Sequence, residues 1–227
     1  MDADRAKKAW QDVVSHQKWE TFSNAEMGPN TTHQYMNDPR HLCFVLSRYK
    51  FCAKLLTGKS RVLEVGCGDA FGTPLVAQTV GNVLGIDWDA QMIQGDLQRL
   101  SFMDNCTFQQ HDVVASPLKE QFDGAYSVDV IEHIDPIMEA AFMQHCCASL
   151  SDDGIFIVGT PNVKAEEYAL PPSKLGHINL KDAAGLEELL SQFLKTVFIF
   201  SMNDEVVHTG FHPMAHYLFG VGIGVKR

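Results

Sequence analysis

The chain has 227 residues, 45% hydrophobic and 20% charged, the balance of an ordinary globular protein, which excludes a disordered or fibrous chain. Its 18 basic against 28 acidic residues give a formal charge of −10, which argues against nucleic acid as a partner because polyphosphate calls for a basic face. No apolar run approaches the roughly 20 residues of a membrane helix, none of the six cysteines forms a C-x-x-C pair, and the charged start Met1-Asp2-Ala3-Asp4-Arg5 leads into no apolar signal core; a reduced, cytoplasmic protein with no membrane partner is expected.

Residues 2–20 place Ala6, Ala9, Trp10, Val13, Val14 and Gln17 at helical spacing, an amphipathic helix that serves either as a packing arm or as a lid. Residues 21–39, with Met27-Gly28-Pro29-Asn30-Thr31-Thr32, read as a loop. A second helix over about 40–56 puts Leu42, Val45, Leu46, Tyr49 and Ala53 on one face and stops at Gly58. Residues 1–57 therefore read as an N-terminal helical arm or lid, and 58–227 as the main domain. There, strands are expected at Val62–Val65, 82–87, 106–111, 122–128, 154–159, 196–200 and 217–225, with helices at 74–78, 90–100, 136–150 and 186–193 between them. Such alternation predicts an α/β fold with a mostly parallel sheet and helices on both faces. Ligands bind such sheets at the carboxyl ends of the strands. Gly66, Asp87, Asp112 and Asp129 each fall at or just past a strand end. One of these acids alone is most simply a helix cap; three of them and a glycine at successive strand ends point to a site.

The centre of the pattern is Arg61-Val62-Leu63-Glu64-Val65-Gly66-Cys67-Gly68-Asp69-Ala70-Phe71-Gly72, a buried strand running into a glycine turn against which a ligand can lie. A dinucleotide turn is spaced G-x-G-x-x-G, whereas here the glycines stand at 66, 68 and 72. Asp69 and Glu64 would repel a pyrophosphate, so a nicotinamide dehydrogenase is the weaker alternative. Both acids suit a ligand with an ammonium and a sulfonium and no phosphate, namely S-adenosyl-L-methionine. Glu64, inside an apolar strand, needs a partner, and a cationic ligand can be that partner. Asp87, 21 residues past Gly66, can take both ribose hydroxyls, Trp88 offers a face for the adenine, and Asp112 can accept from the adenine amino group.

These stretches, with Gly85-Ile86-Asp87, His111-Asp112-Val113, Tyr126-Ser127-Val128-Asp129-Val130-Ile131-Glu132-His133-Ile134 and Gly154-Ile155-Phe156-Ile157-Val158-Gly159-Thr160-Pro161-Asn162, resemble the class I S-adenosylmethionine-dependent methyltransferases, most of all their ubiquinone-biosynthesis-like small-molecule branch. The resemblance covers about residues 55–200. It implies a Rossmann-like seven-stranded sheet whose last strand, 217–225, is antiparallel. It also implies S-adenosyl-L-methionine as cofactor and S-adenosyl-L-homocysteine as product. Glu64 and the turn Gly66-Cys67-Gly68 would then hold the methionine part, Asp87 the ribose, and Asp112 with Val113 the adenine. The residues from Val128 and Asp129 to His133 would lie under the methionine end and the transfer site. The tail from Ser201 to Leu218 is similar to a subgroup associated with bacterial surface-polysaccharide or flagellin-glycan loci, which implies a sugar-related acceptor.

An amine acceptor needs only to be neutral, whereas a hydroxyl also needs a base, and histidine is the usual one near neutral pH. His177 ends an irregular stretch over 161–179, a length typical of lids and binding loops; it is the expected base or substrate contact, against a loop histidine bonded to backbone. His133 is the second candidate, against a structural hydrogen bond. His208 is the third, in a second substrate loop near 203–216. The spacing His208, His212, His216 invites a metal, but Gly210 and Pro213 interrupt any helix there, so no metal is expected. The reading is methyl transfer to a small polar acceptor, at oxygen rather than nitrogen. N-methylation of an amine or amino sugar is the alternative, and a non-catalytic S-adenosylmethionine-binding protein a second; a homodimer is left open.

Overall fold

The structure, a computed structural model, describes residues 3–16, 26–169 and 171–227, with the side chain of Pro172 set aside. Gln17, and the first part of the loop expected over 21–39, lie outside the described residues. One sheet of eight strands organises them, in the order β3-β2-β1-β4-β5-β8-β6-β7. β1 (Arg61–Val65), β2 (Asn82–Asp87), β3 (Cys106–Gln110), β4 (Phe122–Val128) and β5 (Leu150–Pro161) are parallel neighbours, and β8 (Tyr217–Val225) runs antiparallel between β5 and β6 (Leu194–Asn203). The eighth strand is β7 (Val206–His208), which pairs antiparallel with β6. It lies in the stretch 203–216 expected as a loop, three residues being too short to give a strand pattern; Asp204, at φ 49, folds it back in a two-residue hairpin between Asn203 and Val206.

Helices cover both faces, so the central strands are buried on each side and read as nearly continuous apolar runs. On one face α6 (Glu139–Ala148) and α8 (Ala183–Phe193) pack Phe142, Met143, Cys146, Leu186 and Leu190 against Leu63, Ile86 and Phe156. On the other, α3 (His41–Leu56) and α4 (Thr73–Ala77) pack Tyr49, Cys52, Ala53, Leu56 and Val76 against Val62, Tyr126 and Phe219. α3 thus shares one core with β1 and β4. α5 (Ala90–Arg99) sets Ile93 against Phe108 and the turn residues Cys67 and Ala70.

Two stretches expected to be irregular are ordered. Within 21–39 lies α2 (Pro29–Asn37), with proline in its first turn, where the missing N–H costs nothing. Within 161–179 lie a 3₁₀ turn, Val163–Tyr168, and α7 (Pro171–Gly176). α1 (Ala3–His16) is the expected amphipathic helix, but its Trp10 and Val13 are 67% and 52% exposed.

Candidate active site

The parallel strands β1, β2, β3 and β4 end on one edge of the sheet, and there the chain makes its tightest turns. After β1, Gly66, Gly68 and Ala70 all have positive φ, at 74°, 56° and 50°. The two glycines do different work. A Cβ on Gly66 would strike Val130 Cγ2 at 2.4 Å, so its bareness admits the segment after β4 rather than a ligand. A Cβ on Gly68 would meet nothing within 4 Å: the open face of the turn is at Gly68. The amides of Gly66 and Cys67 both donate to the carbonyl of Ile86, at 2.8 and 3.0 Å, which locks the turn onto β2.

Asp87, at the end of β2, accepts from the Gly68 amide at 3.0 Å through one carboxylate oxygen and from the Asp89 amide at 2.9 Å through the other. Both oxygens keep a lone pair, and the carboxylate is fixed beside the open glycine. Asp112, past β3, is oriented in the same way by the Val114 amide at 2.9 Å, and Val113 beside it is buried. Trp88 is 73% exposed, its ring free of the core.

Glu64 is buried beneath the turn. One of its oxygens accepts from Thr73 Oγ1 at 2.6 Å and from the Tyr126 hydroxyl at 2.8 Å, which fastens α4 and β4 to β1. Its partners are therefore internal, a source that sequence reasoning did not weigh. Oε1 finds no hydrogen-bond partner among the described residues. Burial pushes the carboxyl up to about 7, against the pull of Thr73 and Tyr126. Asp69 is engaged within the fold: its two oxygens take the backbone amide and hydroxyl of Thr31, at 2.7 and 2.9 Å, and so anchor the first turn of α2. The repulsion of a pyrophosphate that the sequence assigned to Asp69 is weakened accordingly. Two residues under the turn were missed. Asp96, fully buried and raised to about 7 mainly by that burial, accepts from Cys67 Sγ at 3.6 Å and pairs with Arg99, while Arg99 Nη1 donates to the Asp69 carbonyl at 2.9 Å. Their signal was a charged pair three residues apart on α5, facing the turn.

The second half of the site follows β4. Asp129, at φ 58, swings the chain into a 3₁₀ turn, Ile131–His133. Asp129 pairs with Arg48 of α3 at 2.5 Å, and the Arg48 guanidinium lies 3.9 Å from the centre of the Tyr217 ring. Both Arg48 and Tyr217 escaped the sequence reading. Arg48 could have been found, because it falls three residues past Val45 and four before Cys52, on the apolar stripe of its helix. Glu132 is fully buried; one oxygen accepts from Thr160 Oγ1 at 3.1 Å, and burial and the neighbouring Asp129 raise its carboxyl well above the usual range.

The segment after α7 is strapped onto this turn. The Glu132 carbonyl accepts from the amides of Ile178 and Asn179 at 2.8 and 3.0 Å, and His133 Nδ1 lies 2.8 Å from the Gly176 carbonyl. His177 is thereby brought against His133, with ring centres 5.2 Å apart. Burial and the adjacent His133 lower the basicity of His177. The structure thus unites His133 and His177 but not His208. That histidine sits on β7, four strands from β4, on the order of 19 Å at a strand spacing of about 4.8 Å. It is held by Asn203 Oδ1 at 3.0 Å and by the Gly210 amide at 2.9 Å. His212 likewise contacts Ser201 Oγ at 2.7 Å. His208 thus stands apart from the His133–His177 pair, whereas the end of its loop reaches Asn162 through the carbonyls of His212, Ala215 and His216.

A family model described as a methyltransferase domain matches residues 34–193, most of the chain and all of this edge. The chain belongs to the class I S-adenosylmethionine-dependent methyltransferases. The chain is 30% identical over 131 residues to a protein of Mycolicibacterium smegmatis named as a probable S-adenosylmethionine-dependent methyltransferase, covering 57% of this chain and 49% of that one. It is 27% identical over 118 residues to the ubiquinone biosynthesis O-methyltransferase of Bradyrhizobium diazoefficiens, covering 50% of this chain and 44% of that one. The chain therefore spans about half the length of the curated relatives it matches. Among solved structures, the methyltransferase domain of bacterial CtHen1 superposes with a TM-score of 0.65 at 15% identity, over 81% of this chain and 100% of that one. The N-methyltransferase NodS of Bradyrhizobium japonicum WM9, in complex with S-adenosyl-L-homocysteine, gives 0.59 at 17%, over 82% and 86%. At these identities the likeness is one of fold.

Proposed function

We propose that this methyltransferase moves a methyl group from S-adenosyl-L-methionine to a hydroxyl of a small polar acceptor. When bound, S-adenosyl-L-methionine supplies an electrophilic methyl carbon on a sulfonium. The residues present fit it on two observations: the face of Gly68 is open, and Asp87, fixed beside it by two backbone amides, keeps a lone pair on each carboxylate oxygen. Asp87 would take the ribose hydroxyls, Asp112 and Val113 the adenine, and the turn at Gly66, Cys67 and Gly68 the methionine part, with Glu64 beneath. Val128 and Asp129 would border the methyl end.

The observation that carries the choice of oxygen is the meeting of His133, His177 and Glu132 at the end of β4, next to the turn. An amine that arrives neutral needs no such group, whereas a hydroxyl must lose a proton as it reacts. His177, the expected base, is one of two imidazoles available there. Six free cysteines accord with a reducing, cytoplasmic setting, and among the described residues no helix is long and apolar enough to cross a membrane.

The test is the release of S-adenosyl-L-homocysteine by the purified chain across matched hydroxyl and amine acceptors, sugars and amino sugars included. Product with hydroxyl compounds, lost in His133→Ala and His177→Ala, supports the reading. Product with amines only, insensitive to both substitutions, contradicts it in favour of N-methylation; cofactor binding without product from any acceptor favours a sensor.

A further inference from the structure

A cavity of about 310 Å³ lies between the start of α8, the 3₁₀ turn Val163–Tyr168 and a second 3₁₀ turn, His212–Met214, with Ile199 of β6 among its walls. The two stretches expected from sequence to carry substrate loops, 161–179 and 203–216, meet there. None of the residues assigned to the cofactor or to methyl transfer lines it. We propose that this cavity binds an uncharged, polyhydroxylated ring, a sugar unit of the acceptor other than the one that receives the methyl group.

The walls are fixed before any ligand arrives. Asn162 is 1% exposed, and its Nδ2 donates to the carbonyls of His212 and Ala215, both at 2.9 Å, while its Oδ1 accepts from the Lys164 amide at 3.1 Å. One buried amide therefore ties both turns to the end of β5. The third wall is fixed by Asp182, which caps α8 by accepting from the Gly185 amide at 3.0 Å through Oδ1. Walls already in place lower the entropy lost on binding.

The polar groups of the lining are of both kinds. Ser201 Oγ contacts the Gly210 carbonyl at 3.1 Å and His212 Nδ1 at 2.7 Å. A hydroxyl has one proton and a carbonyl can only accept. Both bonds form only when Ser201 donates to Gly210 and His212 Nδ1 donates to Ser201. The lone pair of the His212 ring is then on Nε2, an acceptor. Asp182 Oδ2 stands 3.8 Å from Lys164 Nζ, too far for a hydrogen bond between them. A donor and an acceptor thus stand side by side, each with capacity for a ligand.

A hydroxyl both donates and accepts, so a ring bearing several can answer each of these groups. Ile199, Pro213 and Ala183 supply apolar surface for the C–H face of such a ring. Lys164 against Asp182 and Glu187 leaves the lining with an excess of one negative charge, which disfavours a phosphate or a carboxylate. Among the described residues, the imidazole and carboxylates here do not gather at metal-binding distances.

Asp182 is five residues from His177, a span of at most about 18 Å. An acceptor of more than one ring can therefore reach from the cavity to the paired imidazoles. This place in the acceptor rests on the methyl-transfer reading; the binding of a ring does not.

The full chain is mixed in turn with the methyl glycosides of glucose, galactose and rhamnose, and with glucose 6-phosphate, and binding is read by saturation-transfer-difference NMR. The cavity predicts transfer to the ring protons of at least one neutral glycoside. Ala184 lines the cavity from the exposed side of α8, so Ala184→Trp fills the space without entering the core and abolishes the transfer. His212→Asn keeps a donor for Ser201 in place of Nδ1 but loses Nε2. It lowers glycoside affinity roughly 2- to 10-fold, the loss of one neutral hydrogen bond, with the melt followed by circular dichroism unchanged. S-adenosyl-L-homocysteine binding, followed by calorimetry, is expected to match the parent in both variants. Its absence from the parent would remove the cavity's place in the acceptor and leave glycoside binding standing. No transfer to any neutral glycoside, transfer undiminished in both variants, or binding of glucose 6-phosphate alone overturns the proposal.

Discussion

At the scale of single residues the site is built from carboxylates in contrasting environments. Asp87 is half-exposed and held open by two amides, whereas Glu64 is sealed beneath the turn. Replacing Asp87 by Ala is expected to weaken S-adenosyl-L-methionine by at least ~100-fold, since two charge-assisted bonds of roughly 1.5–3 kcal/mol each are lost; calorimetry reads this directly. Glu64 gives a prediction of opposite sign for stability. Its folded-state carboxyl titrates near 7, above the usual value of 4.5. Between those values the unfolded chain has already lost the proton and the folded chain still holds it. Stability contributed by the neutral form is therefore present at low pH, is lost as pH rises through that window, and is level above it. Glu64→Gln should flatten this slope and gain on the order of 3 kcal/mol relative to the parent between pH 4.5 and pH 8, as denaturant melts at the two values would show. Asp96, also raised to about 7, acts in the same direction.

Among the elements, the turn after β1 separates fold from binding at neighbouring positions. Gly66→Ala drives a methyl into Val130 and should cost several kcal/mol, seen as a large fall in melting temperature. Gly68→Ala meets no protein atom within 4 Å. It should cost only the ~1–2 kcal/mol of a left-handed backbone while sharply weakening the cofactor. Equal loss of stability in the two variants would contradict this assignment of faces. The main elements were legible because their signals are local: apolar strands, periodic helices and acids at strand ends. The elements missed were set by distant contacts. α2 has no apolar stripe of its own, and its first turn is anchored by Asp69 from 38 residues away in sequence. The segment 161–179 lacks periodicity because hydrogen bonds to Glu132 and His133, rather than a buried face, hold its end. Thr31→Ala should therefore cost about 1 kcal/mol, measurable in the same melts.

Over the whole molecule, the half of the site beside the cofactor turn was largely legible in sequence, and the proposed acceptor half only at His133 and His177. Glycines and acids at the ends of β1, β2 and β3 announce themselves by type and spacing. The proposed acceptor side draws on α3, the turn after β4, the segment after α7 and the start of β8, which lie far apart along the chain. Glu132 and Tyr217 acquire meaning only once the sheet brings β4, β5 and β8 together in register. The same topology removes His208 to the outer edge. Trp10 and Val13 of α1 stand exposed.

The central claim is that the edge formed by β1 to β4 holds a sulfonium nucleoside. Thermal denaturation of the full chain with S-adenosyl-L-homocysteine, and separately with a nicotinamide dinucleotide, tests it most directly, because a ligand of the folded state alone raises the melting temperature. The account predicts a rise with S-adenosyl-L-homocysteine, its near loss in Asp87→Ala, and no rise with the dinucleotide. A rise with the dinucleotide and none with S-adenosyl-L-homocysteine would contradict it.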